Sequence, residues 1–147
     1  MGLDMYLWSQ NKTSIDPVEE VKLYNEWDGM GTPPTESYSK EVMYWRKANA
    51  IHGWFVRNTQ GGLDNCQVSY VDKEQLKELL KILQTVHVDK TQAEFFLPSQ
   101  GGFFFGNTDY NEYYFEQVEE TGEALYALVN SDEFNDEDVY YTYSASW

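Results

Sequence analysis

The C-terminal run Val139 to Trp147, VYYTYSASW, consists largely of residues suited to a pleated, half-buried surface, and it predicts a β-strand. One strand cannot stand alone in water, so the rest of the chain must supply partners and a layer to cover them. Leu3 to Trp8 is rich in strand formers and reads as the first strand. Val21 to Trp27, VKLYNEW, alternates and reads as a second, ending at the turn signal Asp28-Gly29. Gly31-Thr32-Pro33-Pro34, followed by Thr35, Ser37 and Ser39, is expected to be a loop, because consecutive prolines remove amide donors. Gln100 to Gly106 is a glycine-bounded aromatic run read as a short buried strand.

The covering layer is predicted to be helical. From Lys40 to Asn58, Met43, Ala50 and Trp54 together with Tyr44, Ala48, Ile51 and Phe55 follow a 3.6-residue spacing, which predicts one helix stopped by Gln60-Gly61-Gly62. Val71 to His87 predicts a second, with Asp72 as N-cap and Leu76, Leu79, Leu80, Leu83 and Val86 on the buried face. A third is expected to start near Asn107-Thr108-Asp109, capped by Asp109, with Tyr114, Val118, Thr121, Leu125 and Leu128 inward. Ser131 to Glu137 reads as a turn. The expected architecture is one α+β domain over residues 1–147, a small mainly antiparallel sheet of three to five strands packed against about three helices.

Charge narrows the function. Twenty-five acidic residues against 10 basic ones give a formal charge of −15, and after Lys90 there are 12 acidic residues and no basic one. Such a field repels phosphates, so direct nucleic-acid binding is not expected. It suits either a solvated surface or a basic protein partner, including a groove that normally holds nucleic acid. The single cysteine, Cys66, rules out an intramolecular disulfide. With no apolar run of spanning or signal length, the expected setting is the cytoplasm, without a membrane.

The candidate binding residues lie in two places. On the predicted first helix, Trp45, Asn49 and His52 fall at i, i+4 and i+7, with Arg46 and Lys47 beside Trp45. A ring, an amide, an imidazole and cations on one face would suit a flat anionic ligand. The alternative is that Trp45 belongs to the core and the cations pair with carboxylates. The second place is Ser99 to Tyr110, where Gly101 and Gly102 permit close backbone approach, Phe104 offers a ring and Asp109 stands at a helix start. Tight packing accounts for these glycines equally well. Phosphate-loop and dinucleotide motifs are absent. Two histidines and one cysteine also match no common metal or nucleophile template, so no cofactor or metal is expected and an enzyme ranks below a binding protein.

Met1 to Leu7 (MGLDMYL), Tyr44 to Val56 (YWRKANAIHGWFV), Asp64 to Cys66, Gln100 to Tyr110 (QGGFFFGNTDY) and the closing aromatic strand resemble a family of small phage- and prophage-associated proteins. The resemblance implies a viral setting inside a bacterial host cell, and no mechanism. It makes two expectations concrete: a counter-defence module that sequesters a nucleotide-like or other anionic aromatic small molecule, or an acidic inhibitor that blocks a basic groove of a host protein. A homo-oligomer follows if the C-terminal strand lies at a sheet edge.

Overall fold

The computed structural model describes residues 2–31, 39–102 and 104–147. In chain order these form β1 (Asp4–Asn11), α1 (Pro17–Glu26), β2 (Ser39–Arg46), α2 (Asn49–Thr59), β3 (Ser69–Val71), α3 (Lys73–Val88), a 3-10 turn (Lys90–Gln92), α4 (Ala93–Phe96), α5 (Glu112–Val129) and β4 (Val139–Ser146). The strands make one antiparallel sheet in the order β2-β1-β4-β3, so the fold is α+β as expected. The C-terminal strand lies inside the sheet, between β1 and β3, which leaves β2 and the three-residue β3 as the edges. Over Tyr141 to Tyr143, where β3 pairs with it, β4 is not an edge strand.

Strand periodicity divides the sheet into two unlike faces. Met5 and Leu7 of β1, Met43 and Trp45 of β2 and Tyr141, Tyr143 and Ala145 of β4 stand opposite one another and are buried. They form one core with Ile51, Trp54 and Phe55 of α2, the leucines of α3 and Tyr114, Val118 and Leu125 of α5. The Phe55 and Tyr143 rings stack at 3.9 Å, nearly parallel. Alternate residues, Tyr6, Trp8 and Gln10 against Tyr140, Thr142 and Ser144, make the second face, over which α1 places side chains. The prolines and serines at 32–38 lie outside the described residues.

Several local expectations hold. Asp72 caps α3 in a reciprocal capping box with Gln75, whose side chain accepts from the Asp72 amide at 2.9 Å. Gly61 and Gly62, at φ 61° and 80°, end the turn after α2. Four expectations are corrected. Val21 to Trp27 is not a strand; most of it belongs to α1, started by the Asp16 carboxylate accepting from the Val18 amide, with Pro17 at the first helical position and Glu19 and Glu20 in the first turn. Lys40 to Asn58 is not one helix. Its first part pairs with β1, and Lys47 at φ 54° turns the chain into α2, a conformation no helix continues through. Gln100 to Gly106 is a loop rather than a strand, closed by the Phe105 amide on the Gly102 carbonyl at 3.1 Å; Phe103 is outside the described residues. The helix that follows is capped by Asn111, not Asp109, with the Asn111 side-chain oxygen accepting from the Tyr114 amide at 3.1 Å.

Among the described residues no helix is long and apolar enough to cross a membrane.

The break at Lys47 has a test that separates it from a continuous helix. At a left-handed position Lys47→Gly is expected to be more stable than Lys47→Ala by about 1 kcal/mol, whereas in a helix interior the order reverses by about the same amount. Urea unfolding of the two variants measures the difference.

Candidate functional site

The residues singled out in sequence are spread over three environments. Trp45 points into the core at 5 % exposure, its indole N–H donating to Thr121 Oγ1 of α5 at 2.8 Å and its ring near Phe55 and Tyr143. Arg46, next along β2, faces the opposite way into solvent, where its guanidinium donates to Asp4 Oδ1 at 3.0 Å. The Tyr44 hydroxyl donates to the same oxygen at 2.5 Å, and these two donors hold the Asp4 carboxyl below its ordinary range. Strand alternation thus separates the predicted ring from the predicted cation, so they do not share a helical face. Lys47 packs its stem beside Gly2 and Gly106, and its amide donates to the Leu3 carbonyl at 2.7 Å.

Asn49, at the start of α2, clamps the glycine-aromatic loop. Its amide nitrogen donates to the carbonyls of Phe105 and Asn107 at 3.0 and 2.9 Å, and its oxygen accepts from the Gln100 amide at 3.0 Å. Gly101 and Gly102 are exposed; a Cβ on Gly102 would lie 2.7 Å from the Phe105 ring, so tight packing explains that glycine. Phe104 is half-buried against the core, and its carbonyl accepts from the Leu3 amide at 3.0 Å. Asp109 is exposed in the loop before α5. Lys47, Asn49 and Asp109 do line one crevice with Tyr113, but its volume of about 20 Å³ holds a water molecule and no more.

His52 is fully buried and hydrogen-bonded at both ring nitrogens. Nε2 lies 3.0 Å from Asp64 Oδ2, and Nδ1 lies 2.6 Å from the Tyr143 hydroxyl. Burial raises the Tyr143 phenol well above its ordinary range, so it keeps its proton and donates to Nδ1, which leaves Nε2–H to donate to Asp64. The Trp147 indole donates to the other Asp64 oxygen at 3.2 Å. The chain Trp147–Asp64–His52–Tyr143 ties the loop after α2 to the middle of β4 and to the residue that follows it. Its inner members, His52 and Tyr143, are packed against Phe105 and Phe55 and fix structure.

A cavity of ligand size lies elsewhere, on the second face of the sheet beneath α1, with a volume of about 370 Å³; clefts of about 330 and 340 Å³ also lie beside Phe115 of α5 and beside Tyr70 of β3. Drug-sized ligands occupy clefts from about 300 Å³ upward. The floor of the cavity beneath α1 is the β1–β4 ladder, where the Trp8 indole donates to Ser144 Oγ at 3.1 Å and the Gln10 amide to Thr142 Oγ1 at 2.8 Å. Tyr24 and Val21 of α1 wall one side, and Tyr140 stands at the inner end. Tyr6 stacks on Trp8 at 5.5 Å and touches Tyr44, continuing the aromatic surface along the sheet. Asn25 pins the far end of α1, donating to the Val68 carbonyl at 2.7 Å and accepting from the Val68 amide at 2.9 Å. Only the alternation of β1 and β4 signalled these residues in sequence, and it does not show which face is left open.

Two neighbouring tyrosines check the division between core and chain of hydrogen bonds. Tyr143→Phe leaves a buried imidazole nitrogen unpaired and is expected to cost about 1–3 kcal/mol. The buried Tyr141 hydroxyl has no hydrogen-bond partner in the structure, so Tyr141→Phe is expected to be neutral or stabilising by about 1 kcal/mol. Thermal and denaturant unfolding of the pair decides it. Comparison with family models, with curated proteins and with solved structures finds no match for this chain.

Proposed function

We propose that the protein is a binding module that sequesters a small ring-bearing molecule in the cleft between α1 and the β1–β4 ladder. The observation that carries this reading is the cleft itself: a ligand-sized volume in which Trp8, Tyr24 and Tyr140 supply ring surface and Gln10, Thr142 and Ser144 supply hydrogen-bonding groups. The ladder bonds between these side chains fix them before a ligand arrives, which lowers the ordering cost of binding. Sequestration without catalysis suits a site that contains no histidine, cysteine or lysine. In the phage setting that the sequence resemblance implies, the module would withdraw a small molecule from the host. The reading keeps the aromatic character expected of the ligand and moves the site off the segment around Trp45, whose ring is occupied in the core.

The test fills the cleft. Wild-type protein purified from cells and then denatured is expected to release a small molecule detectable by mass spectrometry, and Val21→Trp, which places an indole in the cleft, is expected to release none while its Tm stays within a few degrees. Equal release from both proteins would place the ligand elsewhere.

A second reading is favoured by α5. Glu112, Glu116, Glu119, Glu120 and Glu123 are all exposed, and beside them Tyr113 and Tyr126 expose about half of their surface, at 49 % and 58 %. Carboxylates flanked by exposed rings suit a basic protein groove. Capture of such a partner is expected to weaken at least about ten-fold between low and physiological salt and to vanish when Glu116, Glu119 and Glu123 become lysine. Binding indifferent to both changes would exclude this reading.

A further inference from the structure

We infer that the ligand of the α1 cleft carries a positive charge, an ammonium or related cation attached to its ring, and that Glu20 is the group that selects it. The inference rests on the cleft being a ligand site and adds the chemical class of the occupant.

Glu20 lies on the sheet-facing side of α1 and is 2 % exposed, an uncommon place for a carboxylate without a cation beside it. Its neighbours are hydroxyls: Thr13 Oγ1 donates to Oε1 at 2.9 Å, and the Tyr140 hydroxyl, with one proton to give, lies 2.5 Å from Oε2 and 2.9 Å from Gln10 Oε1. Donors on both oxygens suit an acceptor-only carboxylate, yet hydroxyls leave its charge uncompensated. Among the described residues no Lys, Arg or His comes within ion-pair distance of it. Glu20 is also the single charged residue among the ten described residues that line the cleft. Glu20 thus places one carboxylate at the wall of the cleft with no cation beside it among the described residues.

The remaining walls agree with the same ligand. The faces of Trp8, Tyr24 and Tyr140 carry the negative side of the aromatic quadrupole and attract a cation. Side-chain oxygens of Gln10, Thr142 and Ser144 line the same space and accept from N–H donors. An anionic ligand would meet a buried carboxylate with no cation to offset it. The formal charge of −15 adds a long-range attraction for cations at low salt.

Three probes that share a phenyl ring and a two-carbon arm separate charge from shape: 2-phenylethylammonium, 2-phenylethanol and phenylacetate, each titrated into the full chain with the Trp8 indole N–H resonance as readout. The ammonium is expected to bind at least about ten-fold more tightly than the alcohol, with phenylacetate weakest, as a desolvated ion pair provides. Glu20→Gln keeps shape and hydrogen-bonding capacity, and is expected to bring ammonium and alcohol to within about two-fold of each other. Equal binding of ammonium and alcohol to wild-type protein, or preference for phenylacetate, overturns the inference while leaving the cleft as a ligand site. If none of the three moves the Trp8 resonance, the cleft reading itself fails. The wild-type series decides both points even if Glu20→Gln does not fold.

Discussion

The antiparallel pairing of β1 with β4 underlies everything else in the molecule. It joins Asp4 to Ser146 and Asn11 to Val139, so the two central strands of the sheet come from opposite ends of the chain. Loop closure over such a separation has a large entropic cost, which only the completed core offsets. Both faces of the sheet depend on this one register. Shifting it by a single residue would turn Tyr141 and Tyr143 out of the core and bring Thr142 in, and would dismantle the Trp8–Ser144 and Gln10–Thr142 ladder at the same time.

The chain of hydrogen bonds from Trp147 through Asp64 and the buried His52 to Tyr143 protects that register. Each link has directional geometry, so the last residues of β4 are held by hydrogen bonds that a slipped strand could not make. Polar groups buried this way add specificity where aromatic packing alone would tolerate alternatives. Asn49 does the same for the loop between α4 and α5, fastening Gln100, Phe105 and Asn107 to the first turn of α2.

How much was legible in the sequence follows from how each segment meets the core. α3, with a one-sided leucine stripe and a capping box, and β4, with its run of strand formers, carry local signals that agree with their environment. β2 and α2 read in sequence as one helix because Met43 and Trp45 of the strand and Ile51, Trp54 and Phe55 of the helix all point into the same core, so their spacing mimics one continuous stripe. The break between them is a positive φ at a lysine, which has no compositional mark. α1 was misread for the opposite reason. Asp16-Pro17 is a legible helix start, but the most buried residue of the helix is Glu20, and Val21 and Leu23 are only half-buried, so its apolar residues mark no clear inner face. The cleft was invisible because it is assembled from alternate residues of two strands more than a hundred positions apart, and the aromatic residues that drew notice around Trp45 were serving the core.

The Asn25 clamp has a kinetic meaning. A side-chain amide exchanging two hydrogen bonds with the Val68 backbone holds one end of α1 down, while Glu20 ties its first turn to Tyr140 and Thr13. The helix is thus fastened near both ends across the mouth of the cleft. For a molecule seated beneath it, the residence time is governed by how often that helix lifts, and a modest equilibrium affinity is compatible with slow release.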